Sequence, residues 1–228
     1  MSRNQQIIAV VAVVIVLLAA AGYYLFFPSS SPTDVIPAND SPNAAGPGYT
    51  LTADDHTLGS PKAPITVIEY AAPTCPHCAH FNETVFPLLK AQYIDTGKVH
   101  YVFRVFPLHP SDGAAEAMAE CLPRDSYFQF IDLLFRNQKE WDWEYQVQDI
   151  HGGLVKMGRI AGMTPEQVDK CIGDKPVQDR INKVAQDGQT RYNISATPTF
   201  IINGYPRTDV AGWPTMQQAL DELLAKKK

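Results

Sequence analysis
Two cysteines separated by two residues, Cys75-Pro76-His77-Cys78, stand where a strand pattern gives way to a helix pattern, and that placement limits what the chain can become. Before them runs the β-branched, apolar stretch Ile65-Thr66-Val67-Ile68-Glu69-Tyr70-Ala71. After them Phe81, Val85, Leu88 and Leu89 recur at helical spacing. The pair therefore sits at a strand-to-helix turn. There Cys75 meets unpaired backbone N–H groups and the positive end of the helix dipole, which favour thiolate over thiol. A thiolate at Cys75 is able to attack, or leave from, a mixed disulfide, while Cys78, one turn further in, closes or opens the ring. Pro76 and His77 are placed to tune the pair, His77 as a donor and, when protonated, as a charge. Stabilising the thiolate stabilises the reduced form, which makes the oxidised form the stronger oxidant.

A C-x-x-C is also half of a zinc site. Structural zinc needs a second ligand pair at close spacing, and Cys121 and Cys171 stand alone without one, so no metal is expected. Both lie on apolar helical stripes, one with Ala114, Ala117, Met118 and Leu122, the other with Val168 and Ile172. They read as independent buried thiols or, in an oxidising compartment, as a disulfide. Glu69 is also open to two readings: an exposed edge position, or a buried carboxyl near Cys78.

The chain begins with the uncharged run Ile7 to Phe27, preceded by Arg3. A helix needs roughly 20 apolar residues to cross a bilayer, so this run predicts a transmembrane anchor after a short cytoplasmic N-terminus of residues 1–6. A cleaved signal peptide competes, since Ala19-Ala20-Ala21 offers small residues for cleavage, but the run continues through Phe27, past a normal signal core. Both readings export the rest. Residues 28–48, rich in Pro, Ser and Gly, read as a flexible tether. A formal net charge of −5 argues against a nucleic-acid partner.

Residues 49–228 read as the folded part. Tyr49-Thr50-Leu51-Thr52 is a short strand, Ile65 to Ala71 a central one, and Val99 to Phe106 the next, so the cysteine helix forms a right-handed βαβ crossover. Pro87 falls within that helix and predicts a kink. A helical region follows over roughly 111–192, with a capping box at Thr164-Pro165-Glu166-Gln167. Trp141, Trp143 and Tyr145 in this region are core residues or the border of a groove for unfolded chains. Thr199 to Ile202, Asn203-Gly204 and Tyr205 onward give a type I′ hairpin, then a short strand near Asp209-Val210 and a final helix with Met216, Leu220, Leu223 and Leu224.

Cys75-Pro76-His77-Cys78, taken with Ser195-Ala196-Thr197-Pro198-Thr199-Phe200 far downstream, resembles the DsbA-like thioredoxin-fold disulfide oxidoreductases over roughly residues 49–228. The resemblance implies an α/β thioredoxin fold with a helical insertion domain between its two halves. It implies Cys75 as nucleophile, Cys78 as resolving cysteine, and Glu69 as a carboxyl that relays the Cys78 proton. It also implies a cis Pro198 beside the pair, with Thr197 and Pro198 binding the substrate backbone. Some DsbA-like proteins carry a second, non-catalytic pair in the insertion, which implies a structural Cys121–Cys171 disulfide. No cofactor is implied. The implied partners are exported proteins with free thiols and a DsbB-type quinone-linked membrane oxidase, and the implied place is the outer face of the cytoplasmic membrane or, after cleavage, the periplasm.

One departure bears on direction. The well-known oxidases of this family carry Val before the cis-proline, whereas Thr there is familiar from DsbC-type isomerases, so an isomerase or membrane-linked reductase stands as the alternative. A redox-inactive thioredoxin-fold chaperone is the contrasting class.

Overall fold
A computed structural model of the chain describes residues 48–226 and the two-residue strand Ile36–Pro37. The N-terminus 1–6, the span Ile7 to Phe27 and the tether up to residue 47 lie outside the described residues, Ile36–Pro37 apart. Among the described residues no helix is long and apolar enough to cross a membrane.

Five strands form a mixed sheet: β2 (His56–Leu58), β3 (Ile65–Ala71), β4 (Val99–Val105), β5 (Thr199–Ile202) and β6 (Tyr205–Arg207), after a two-residue β1 (Thr50–Leu51) outside it. Their spatial order is β2-β4-β3-β5-β6. β3 pairs in parallel with β4 and antiparallel with β5, so the βαβ crossover is present and the strand before the cysteines is central. All seven residues of β3 are buried. Alternation sends Ile65, Val67, Glu69 and Ala71 to one face, with Cys78, Phe81, Phe103 and Phe200, and Ile68 and Tyr70 to the other, with Val102, Tyr192 and Ile201.

The helix after the cysteines is broken. α1 (Pro76–Thr84) ends at Val85, α2 (Phe86–Leu89) restarts with Pro87 in its first turn, and Lys90–Ile94 form a π-turn. A proline cannot donate an N–H to the preceding turn, so the helix divides just before it. Phe81, Val85 and Leu89 are buried, but Leu88 is 38% exposed because the restart turns it outward.

Between β4 and β5 lies the helical insertion: α3 (Pro110–Cys121), α4 (Tyr127–Arg136), the short α5 (Gln138–Trp141), α6 (Ile150–Ile160), α7 (Pro165–Ile172) and α8 (Lys175–Tyr192). Thr164 and Gln167 close the reciprocal capping box. α8 runs back under the sheet, and Gly188 lets it approach β3: a Cβ there would stand 2.7 Å from the Tyr70 ring. In the hairpin, Asn203 and Gly204 both take positive φ, as a type I′ turn requires. The strand after it is Tyr205–Arg207, and Asp209-Val210 is irregular: the two-residue turn puts Tyr205 directly opposite Ile202, so pairing is complete by Arg207. α9 (Trp213–Ala225) covers the cysteine face with Met216, Ala219 and Leu220.

Candidate active site
Cys75 is the N-cap of α1, with extended backbone, and Pro76 occupies the first helical turn. The Cys78 backbone N–H donates to Cys75 Sγ at 3.3 Å. Both cysteines are free thiols, Cys75 at 5% exposure and Cys78 at 0%. Hydrogen bonding from the Cys78 thiol, helped by the backbone N–H groups of Cys78 and His77 and opposed by burial, brings Cys75 down to about 6. Burial, then the adjacent Cys75 and the Glu69 carboxyl, push Cys78 well above its ordinary value. The result is one sulfur poised as thiolate beside one held as thiol. His77 and Pro76 are exposed, and His77 reaches Cys75 through its backbone rather than its ring.

The Thr197–Pro198 peptide bond is cis, and the Thr197 carbonyl lies 3.4 Å from Cys75 Sγ. β5 begins immediately afterwards at Thr199, anchored against Tyr70 of β3, so the loop and the cysteine turn leave the sheet side by side. Glu69, two residues before the end of β3, is 2% exposed. The edge reading fails because β3 lies between β4 and β5 with both faces covered. Burial raises the Glu69 carboxyl to about 8; a hydrogen bond from the Tyr101 hydroxyl opposes the rise and the Cys75 thiolate adds to it. Among the described residues, no group of three or more His, Cys, Asp or Glu side chains is arranged to hold a metal ion.

A family model described as thioredoxin matches residues 51–222. A putative protein-disulfide oxidoreductase of Rickettsia bellii is 30% identical over 181 residues, which cover 79% of this chain and 68% of that protein. The disulfide bond formation protein D of Bacillus subtilis is 26% identical, over 81% of this chain and 84% of that protein. Among solved structures, alpha-DsbA1 of Wolbachia pipientis is 31% identical with a TM-score of 0.70, over 77% of this chain and 94% of that one. The chain belongs to the DsbA-like thioredoxin-fold oxidoreductases.

As in a DsbA-like architecture, the insertion lies between the halves of the thioredoxin fold, and two of its residues reach the cysteine turn. Gln138, 4% exposed, donates through Nε2 to the carbonyls of Pro73 (2.8 Å) and Cys75 (3.1 Å). Its Oε1 accepts from the Tyr145 hydroxyl. Asp112, fully buried at the start of α3, accepts from the backbone N–H groups of Thr74, Leu108 and His109. Sequence reasoning missed both residues. Asp112 had a local signal, an acidic residue in the first turn of a helix; Gln138 had none. The aromatic cluster divides. Trp141 is core, with its indole N–H bonded to the Leu134 carbonyl, whereas Trp143 and Tyr145 are 44% and 38% exposed. Trp143 packs edge-on against His109, which adjoins the Asp112 network.

The second cysteine pair is a disulfide, Cys121–Cys171, joining the end of α3 to α7. Cys171 is buried; Cys121, expected on an apolar face, is exposed, because it is the last residue of α3 and the chain turns away at Leu122.

Proposed function
We propose that the protein is a membrane-tethered thiol oxidase of an extracytoplasmic space, which donates the Cys75–Cys78 disulfide to exported proteins. A client thiolate attacks Cys75 Sγ, the Cys75–Cys78 bond breaks, and its electron pair passes to Cys78. A second client thiolate attacks the client sulfur of the mixed disulfide, and Cys75 leaves as thiolate. The observation that carries this reading is the asymmetry of the pair: Cys75 brought down to about 6 is a good leaving group at neutral pH, while Cys78 is held far above it. Stabilising the Cys75 thiolate favours the reduced enzyme, and so favours giving the disulfide away.

Glu69, up at about 8 and close enough to Cys78 for their charges to interact, holds a proton at neutral pH for the sulfur that the attack exposes. Pro198 and the Thr197 backbone receive the client strand beside Cys75. Ile7 to Phe27 anchors the chain with its N-terminus in the cytoplasm, and a DsbB-type quinone-linked membrane protein restores the disulfide.

The test is the reduction potential of the full chain equilibrated in glutathione buffers, with Cys75 and Cys78 trapped by alkylation. A value toward about −120 mV supports a disulfide donor; a value near about −270 mV overturns it in favour of a reductase. Client refolding that proceeds unchanged with Cys75→Ala would support a chaperone and sink the exchange mechanism.

A further inference from the structure
Glu69 is a buried carboxyl on the central strand, opposite Phe103 on one side and Phe200 on the other, a setting in which ionisation is costly without a donor. Among the described residues the hydrogen bond it receives comes from one group, the hydroxyl of Tyr101, which donates to Oε2. Tyr101 belongs to β4, where it stands opposite Val67, two positions from Glu69 on β3 and on the same face of the sheet. It is 2% exposed. Two aromatic rings hold its ring: Phe86, at the start of α2 just after the cysteine helix, with centroids 5.0 Å apart, and Phe128 of the insertion at 6.1 Å. A tyrosine fixed in this way has no freedom to turn its hydroxyl elsewhere, and a phenol in an apolar core has no water to bond instead.

We propose that Tyr101 is a positioning residue of the exchange reaction: its hydroxyl orients the Glu69 carboxyl and stabilises the carboxylate left when Glu69 hands its proton to Cys78. The inference rests on the exchange mechanism proposed above. When the client thiolate bonds to Cys75 Sγ and the Cys75–Cys78 bond breaks, the electron pair arrives on Cys78 Sγ inside the protein. The Glu69 proton moves to that sulfur, and a negative charge moves to the carboxylate, where the Tyr101 O–H meets it. Glu69 regains a proton from solvent before the next cycle. Hydrogen bonds to a charged acceptor are about twice as strong as neutral ones, so the Tyr101 contact is worth more after the transfer than before it. Such a difference accelerates a step rather than merely holding the fold. The titratable groups facing this pair are Cys75 and Cys78 from the active-site turn and helix and Tyr127 from α4.

The experiment is a double-mutant cycle on oxidised full-length protein, with Tyr101→Phe, Glu69→Gln and the double variant. The readout is the rate at which a single-cysteine peptide opens the Cys75–Cys78 disulfide across pH 5–9. Tyr101→Phe is expected to slow opening at least about tenfold at neutral pH and to move the Glu69-dependent limb of the profile to higher pH, since the charged carboxylate loses its donor. In the Glu69→Gln background the same change is expected to alter the rate less than about twofold. An equal effect in both backgrounds, or less than about twofold in the wild type, overturns the proposal. Tyr101→His, which keeps a donor, is expected to recover part of the lost rate. Should Tyr101→Phe not fold, the infrared difference between wild type and Glu69→Gln decides: a Glu69 carboxyl band at the frequency of an acid without a hydrogen bond overturns the proposal, and a hydrogen-bonded one supports it. Failure of the exchange mechanism itself looks different, because the wild-type disulfide would then not open to the peptide at all.

Discussion
The chain carries two cysteine pairs, and they stand at opposite ends of helices. Cys75 caps the N-terminus of α1, where backbone N–H groups point at its sulfur. Cys121 is the last residue of α3 and Cys171 lies in the last turn of α7, where backbone carbonyls are the unpaired groups and the dipole is negative. The helix end therefore favours the thiolate of Cys75, whereas Cys121 and Cys171 are joined to each other as a disulfide. Position along the helix, not residue type, makes one pair reactive and leaves the other as a strut within the insertion.

Removing each pair should break the molecule in a different way. Cys75→Ala should abolish disulfide donation to a thiol client by several orders of magnitude, while shifting the midpoint of thermal unfolding of the reduced protein by no more than a degree or two when measured at about pH 5, where the Cys75 thiolate no longer contributes. A double change, Cys121→Ala with Cys171→Ala, should do the reverse. It should cost about 2–4 kcal/mol in denaturant unfolding, the usual worth of a disulfide closing a loop of this size, and leave donation within about threefold. If the second pair proves necessary for donation in a variant shown to be folded, the contrast between reactive centre and strut collapses.

Gln138→Leu sits between the two. It leaves the Pro73 carbonyl without its donor, while the Cys75 carbonyl keeps the Ala79 N–H, so a loss of about 1–3 kcal/mol in stability is expected by denaturant titration, together with slower alkylation of Cys75. The pH dependence sharpens the comparison further. The reduced, folded protein holds Cys75 at about 6 against an ordinary value of 9.0, so the stabilisation of the reduced form is complete above the higher value. It is lost as pH falls through about 6. Iodoacetamide trapping of Cys75 should accordingly rise through about pH 6, with no such rise for Cys121 or Cys171 while their disulfide is intact.

The smallest effect belongs to a control. Glu116 of α3 is another buried carboxyl, raised to about 8 by burial and bonded to the Tyr127 hydroxyl at 2.7 Å, but its charged neighbours are Glu120 and Arg180 rather than a cysteine. Glu116→Gln should change the rate of disulfide opening by less than about twofold. A larger effect would mean that buried Glu–Tyr pairs act through the fold in general and not through contact with sulfur.

How far these features were legible depended on whether their signal was local. The strand-to-helix turn at Cys75, the Thr164 capping box and the Asn203-Gly204 hairpin each announce themselves within a few residues, and the structure forms all three. Glu69 stayed undecided because strand alternation separates the two faces of a sheet but does not say whether both are covered, and here both are. Strand β2 was missed: His56-Thr57-Leu58 is too short to show a period, and it exists because β4 offers it an edge. Tyr101 and Gln138 read as ordinary strand and helix positions. Their importance comes from what the fold brings to them across 32 residues in one case and 63 in the other.

The reach of Gln138 has a consequence for the newborn chain. On the ribosome the two cysteines are made well before their setting: the glutamine that braces their turn follows Cys75 by 63 residues, and the Thr197 carbonyl beside its sulfur by 122. For most of its synthesis the chain therefore carries the cysteine turn without the two distant groups that meet it in the finished fold. The helix-end donors that act on the sulfur come with the cysteines themselves, but the Thr197 carbonyl that lies beside it arrives only with the C-terminal third.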